Sequence, residues 1–209
     1  MLKSVLDDRL IKSIKLIAFL GNPGDMYKGN RHNAGRLFVE SLGFVLEWQK
    51  KFKGLFAVAN TGDFLERPHI AGERQSDPHI AGERQSGKIF FLIPETFMNL
   101  CGQSVEPCVA FYKIKPPEIL VVHDELELEL GVAAFKAGGG LSGHNGLRSI
   151  KAQIGSADFL RLRIGIGRPG GKKDPHTDIS SWVLSNFTQD ERETLSSVFA
   201  ECSKILWQI

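Results

Sequence analysis

Two short apolar runs constrain the fold of this chain more than any other feature. Lys15 to Leu20 (KLIAFL) stops abruptly at Gly21, Asn22, Pro23 and Gly24. Glu118 to Val122 (EILVV) runs straight into His123, Asp124 and Glu125. Short apolar runs ended by turn formers or polar groups predict buried strands. Helical patterns lie between and after them. Leu37, Phe38, Leu42 and Val45 recur at helical spacing between Ala34 and Trp48. Val105 to Tyr112 carries a second helix, entered through Met98 and Asn99 and expected to begin close before Pro107, since proline is costly deep inside a helix. Leu147 to Ile154 is a third, with Gly155 as its stop. Thr188 and Glu191 stand at capping-box spacing before a face of Leu195, Val198, Phe199, Cys202, Ile205 and Leu206.

The remaining strands are predicted at Phe52 to Asn60, Lys88 to Ile93, Val132 to Lys136 and Leu160 to Ile166. The first two read as a hairpin. In the last, Leu162, Ile164 and Ile166 face one way and Arg161 and Arg163 the other. Strands alternating with helices imply an α/β domain with a parallel or mixed sheet. The length of 209 residues fits a single domain over 1–209, with 1–14 as an N-terminal extension.

PHIAGERQS occurs at Pro68 to Ser76 and again at Pro78 to Ser86. Two polar copies are too few for a solenoid. Residues 66–87 therefore read as a duplicated surface-loop insert, because added loop length costs little closure entropy. The rival, a metal or partner site built from His69, Glu73, His79 and Glu83, has no other support.

No apolar run is long enough for a membrane span, and the charged N-terminus lacks a signal-peptide core, so a cytoplasmic location is expected. Cys101, Cys108 and Cys202 form no CxxC pair, and an odd count suggests reduced thiols. The formal net charge of +2 neither demands nor excludes nucleic acid.

Ligands of open α/β sheets bind beyond the carboxyl ends of the strands. Asn22 and Asp124 occupy such ends, His32 lies at the entrance to a helix, and Asn99 and Asn145 sit in turn-to-helix contexts. An imidazole can act as a base near neutral pH. A carboxylate on its Nδ1–H fixes the tautomer and stabilises the imidazolium. Uncharged amides can hold a carbonyl and a developing oxyanion. The set suits attack of water on an acyl compound. No GxSxG elbow surrounds Ser142, and Cys101 reads as a small buried residue rather than a nucleophile. Taken singly, each residue also has a structural reading as a cap, a turn former or a core group. Lys136 and Arg163, near glycines that allow close backbone approach, are candidates for phosphate contacts. Neither GNPG nor GGGLSGHNG has the spacing of a dinucleotide or Walker loop.

Together these segments resemble the bacterial peptidyl-tRNA hydrolase family. The blocks are LGNPG from Leu20 with Tyr27; RHNAG from Arg31; PETFMN from Pro94 to Asn99; HDEL from His123; Phe135 and Lys136 through Gly138 to Gly140; GHNGL from Gly143; and RLRIGIG from Arg161 to Gly167. They stand in family order between Lys15 and about Asn186. The resemblance implies a single α/β globule with a mixed twisted sheet flanked by helices. It implies that His32 activates water and Asp124 orients it. Asn22, Tyr27, Met98, Asn99 and Asn145 would bind the substrate, and Lys136 and Arg163 would clamp the tRNA 5′ phosphate. It implies peptidyl-tRNA as the partner, no metal or organic cofactor, no obligate protein partner and a monomer. The long N-terminal extension, the duplicated insert and the end at Ile209, where relatives often continue into a basic tail, depart from the pattern. The last bears on tRNA affinity more than on the chemistry. An RNA-binding scaffold on the same fold and a general amidase are the competing functions, because fold alone does not decide.

Overall fold

Strand β1 (Leu16–Phe19) distributes its side chains between two apolar cores. Ile17 and Phe19 point into one, Leu16 and Ala18 into the other, as the two-residue period of a strand requires. A computed structural model describes residues 1–3, 7–43, 46–60, 87–169, 178–206 and 209. The duplicated repeat, Val45 and Trp207 lie outside the described residues.

Among the described residues, β1 is the centre of a seven-stranded sheet. The other strands are β2 (Gln49–Lys51), β3 (Gly54–Asn60), β4 (Lys88–Pro94), β5 (Ile119–Glu125), β6 (Ala133–Ala137) and β7 (Leu160–Gly165), in the order β2-β3-β4-β1-β5-β7-β6. β1 pairs in parallel with β4 and β5, and β5 with β7. The outer pairs β2–β3, β3–β4 and β6–β7 are antiparallel, so the sheet is mixed. Helices α1 (Asp8–Lys12), α2 (Ala34–Ser41) and α6 (Gln189–Leu206) bury Ile11, Phe38 and Leu195 in the core that holds Phe19. Helices α3 (Gly102–Tyr112) and α4 (Asn145–Ile154) bury Val105 and Ile150 in the other. Phe19 stacks on Phe91 at 6.2 Å and meets Phe38 at 6.3 Å. Burying each such side chain is worth about 1.5–3 kcal/mol.

The chain leaves β1 for β4 on one side and reaches β5 on the other. The carboxyl ends of β4, β1 and β5 therefore meet at the reversal of strand order, where a crevice forms. Asn22 follows β1, Met98 and Asn99 follow β4, and Asp124 closes β5.

Several elements differ in extent from the sequence reading. Helix α2 ends at Ser41, because Gly43 turns to φ +66 and redirects the chain. The predicted strand at Phe52 starts at Gly54. Phe52 and Lys53, at φ 54 and 51, make instead the two-residue turn that joins β2 to β3. The polar triplet of β2 carried no strand signal. Helix α3 begins at Gly102, five residues before Pro107, which sits inside the helix. The proline leaves the Gln103 carbonyl without its helical donor. Packing outweighs that loss: Gly102 donates to Ser149 Oγ at 2.9 Å and lies against the backbone of α4. The capping box of α6 forms as expected, with Thr188 N–H to Glu191 at 2.8 Å and Glu191 N–H to Thr188 Oγ1 at 3.3 Å.

A Cβ at Gly35 would lie 2.6 Å from the Val122 carbonyl and 2.7 Å from that of Leu20. This glycine lets α2, and the turn before it, sit directly on β1 and β5. Gly35→Ala should destabilise the fold by about 1–3 kcal/mol. Urea unfolding measures this directly, and an unchanged midpoint would mean that the contact relaxes without cost.

Candidate active site

Asp124 shares the sheet face of Leu120 and Val122, on which α2 also packs. A 3₁₀ turn, Arg31–Asn33, leads into α2 and presents His32 to it. His32 Nδ1 lies 2.8 and 2.9 Å from the two Asp124 oxygens. An ionised carboxylate only accepts, so Nδ1 carries the proton and Nε2 keeps its lone pair.

A second imidazole converges on the same carboxylate. His144 is the N-cap of α4, and its Nδ1 accepts from the N–H of Gly146 at 3.1 Å and Leu147 at 3.3 Å. Its proton therefore sits on Nε2, which donates to Asp124 Oδ1 at 2.9 Å. The rings of His32 and His144 are 5.0 Å apart.

Asp124 is only 2% exposed. Burial by itself would raise its pKa. The charges and hydrogen bonds of His32 and His144 outweigh that effect and hold it well below the usual carboxylate range. For His32, burial works downward, but the charge and hydrogen bond of Asp124 prevail, so its pKa lies above the ordinary imidazole value. His123 points to the opposite face, is fully buried, and donates through Nδ1 to the Asp124 carbonyl at 2.6 Å. Burial, followed by neighbouring His144, pushes its pKa well down, so it stays neutral.

Asn22 is held from three sides. Its N–H donates to Asn33 Oδ1 at 2.8 Å, and its carbonyl accepts from Asn33 Nδ2 at 3.0 Å and Arg36 at 2.9 Å. Its side-chain oxygen accepts the Met98 N–H at 2.8 Å. That contact fixes the amide orientation and leaves the NH₂ group for the cleft.

Asn22, Tyr27, His32, Met98, Asn99, Asp124 and Asn145 all line one cleft of about 570 Å³. Tyr27 meets Phe97 edge-on at 6.2 Å on its rim. Helix α5 (Ile179–Leu184) supplies a facing wall through Ile179, Val183 and Leu184. Polar groups of defined orientation thus face an apolar wall, an arrangement suited to an acyl substrate.

His32, Asp124 and His144 also bring ligand-type atoms within 4.8 Å of one another. They do not fit a metal. The lone pair of His144 Nδ1 is committed to two backbone N–H groups, so Nε2 holds a proton where a metal needs a lone pair. Cys101 is fully buried, and burial pushes its thiol up to about 12, which rules it out as a nucleophile near neutral pH.

Comparison with known proteins places this geometry in a family. The sequence profile of the peptidyl-tRNA hydrolases matches residues 16–209. The peptidyl-tRNA hydrolase of Mannheimia succiniciproducens is 43% identical over 204 residues, covering 94% of this chain and 91% of its own. That of Delftia acidovorans is 41% identical over 195 residues, covering 91% and 81%. The crystal structure of peptidyl-tRNA hydrolase from Acinetobacter baumannii superposes with a TM-score of 0.73 at 36% identity, over 94% of this chain and 89% of that one. This chain belongs to the peptidyl-tRNA hydrolase family.

Two expected residues of the family pattern stand apart from the cleft. Lys136 is exposed on β6, next to Arg161 in register, and Arg163 lies beside it on β7. Arg163 Nε donates to Glu125 Oε2 at 2.8 Å, so it is not a free cation. Arg161, read from the sequence as merely facing away from the apolar side, is 1% exposed. It donates to the carbonyls of Gly138 and Gly140 and so shapes the glycine-rich loop beside Lys136.

Sequence reasoning missed two other residues. His144 stands in the GHNGL block without a role read from the sequence; its place immediately before the start of α4 was the available signal for a cap. Arg31 is 4% exposed and makes a two-pronged contact with Glu191, 2.7 Å to each oxygen. Its guanidinium also stacks 3.8 Å from the Trp182 ring centre. Backbone bonds from Arg31 N–H to Ser185 and from Phe187 N–H to Gly29, both 3.0 Å, complete the join. The turn that carries His32 is thereby fixed to α5 and α6. Arg31→Ala removes the ion-pair partner of Glu191, leaving it only the Thr188 N–H, and should cost about 3–5 kcal/mol in urea unfolding. Wild-type stability in this variant would show that the join contributes nothing.

Proposed function

We propose that this chain hydrolyses the ester between the peptide and the tRNA of peptidyl-tRNA, with His32 as general base on water. The observation that carries this reading is the His32–Asp124 contact, which leaves Nε2 unprotonated and facing the cleft. Nε2 takes a proton as the water oxygen attacks the ester carbonyl. The NH₂ group of Asn22, with the amides of Asn99 and Asn145, positions the carbonyl and supports the oxyanion. The intermediate collapses by breaking the bond to the ribose oxygen, which receives the proton back from His32. The products are a peptide carboxylate, whose proton is lost to solvent, and a tRNA with a free hydroxyl, ready for reuse in translation. An ester to a ribose is more reactive than an amide, so positioning and proton transfer suffice without a covalent intermediate or a metal. Tyr27 and Met98 flank the bound acyl group.

Lys136 and Arg163 take the 5′ phosphate of the tRNA at the β6–β7 edge. Arg163, tied to Glu125, serves as an oriented fork, and Lys136 as the freer point charge. Binding should weaken with salt as phosphate counterions are released. The protein acts in the cytoplasm as a monomer without an obligate protein partner. No helix among the described residues is long and apolar enough to cross a membrane.

On N-acetyl-aminoacyl-tRNA, His32→Ala should lower kcat by about 10²–10⁴-fold with a wild-type fold. Near-normal turnover in this variant would remove His32 from the chemistry. The base works only when neutral, and its pKa is raised. The kcat/KM profile should therefore climb with pH through a midpoint above the ordinary imidazole value. Asp124→Asn removes the raising influence while burial persists, so the midpoint should move to lower pH as kcat falls. A midpoint that stays in place would detach Asp124 from the titration.

A further inference from the structure

We infer that the lysine- and aromatic-rich surface at the β2 edge receives the peptide part of the substrate and favours acidic chains. The inference rests on the proposed placement of tRNA phosphate at Lys136 and Arg163. Those two residues occupy the β6–β7 edge, the scissile ester the sheet centre, and β2 the opposite edge. The nucleotide and the peptide leave the ester at opposite ends, so the peptide is directed toward β4, β3 and β2.

That side is built for an anionic chain. Lys50, Lys51 and Lys53 line a hollow of about 370 Å³ with Gly54 and a single carboxylate, Glu95. Among the described residues, none of the three lysines forms an ion pair. Lys51 is partly buried, with its Nζ 4.4 Å from the centre of the Phe111 ring and 4.7 Å from that of Phe52. It is held by rings rather than by a counter-ion. Phe111 is 64% exposed and offers an uncovered apolar face beside the exposed Lys113. Lys53 Nζ bonds Gln103 Oε1 at 3.1 Å, which holds it near the start of α3.

The hollow and the cleft are joined along the chain by the segment that follows β4. The Glu95 N–H donates to the Lys53 carbonyl at 2.9 Å, and Met98 of the cleft follows three residues later. Three extended residues span at most about 10 Å. A peptide laid along this segment brings an acidic side chain several residues from the ester to Lys53 and Lys50, whereas a single acylated residue stays in the cleft.

The test uses three substrates on the same tRNA: an N-acetylated single residue, a neutral hexapeptide and a hexapeptide with acidic residues at its N-terminal half. Lys50→Glu combined with Lys53→Glu should lower kcat/KM for the acidic hexapeptide about three- to tenfold. The neutral hexapeptide and the single-residue substrate should be unaffected, and added salt should abolish the wild-type preference for the acidic chain. An equal loss on all three substrates, with a shallower salt dependence of binding, would assign these lysines to RNA and overturn the inference. No change on any substrate would overturn it too. Failure of the wild-type protein on the single-residue substrate would instead strike at the proposed hydrolysis itself.

Discussion

The site depends on one buried carboxylate that receives two imidazole N–H groups. Asp124 lies at the end of a strand buried along its whole length, where an isolated charge would be strongly disfavoured. His32 and His144 compensate by both donating to it, and they share its Oδ1. Each partner constrains the others. His144 has its own proton fixed by the backbone at the start of α4, and Asp124, so oriented, fixes the proton of His32. What remains is a single unprotonated nitrogen facing the cleft, produced entirely by hydrogen-bond direction.

The rest of the fold serves to hold these three residues in register. The reversal of strand order around β1 brings the ends of β4, β1 and β5 together, and the absence of a side chain at Gly35 lets α2 sit low enough for His32 to reach Asp124. Arg31 ties the same turn to α5 and α6, so the residue next to His32 also anchors the wall across the cleft. Arg161 performs a comparable task at the β6–β7 edge, where a buried cation organises the carbonyls of Gly138 and Gly140. Both arginines act through geometry, and removing either disturbs a segment rather than a single contact.

Much of this was legible in the sequence, for identifiable reasons. Asn22 and Asp124 stood out because polar residues directly after wholly apolar runs have few packing roles. His32 gained meaning only from its company. The strands were readable where both faces are apolar, and β2 was not, since QKK pairs at an edge and buries little. The start of α3 was misjudged because a rule for isolated helices was applied to one pressed against α4, where tertiary contact outweighs the cost of Pro107. His144 looked like one more polar residue in a glycine-rich loop, since nothing local reveals a partner twenty positions away. Arg31 and Arg161 were overlooked because arginine is rarely buried, and the carbonyls and carboxylate that make their burial tolerable come from distant segments.

Nitrogen-resolved NMR of the His32 ring tests the central claim most directly. Above its pKa the neutral ring should carry its proton on Nδ1 in the wild-type protein, and in Asp124→Asn the tautomer preference should weaken and the pKa fall. A wild-type ring protonated mainly on Nε2, or a His32 titration indifferent to the loss of the carboxylate, would contradict it.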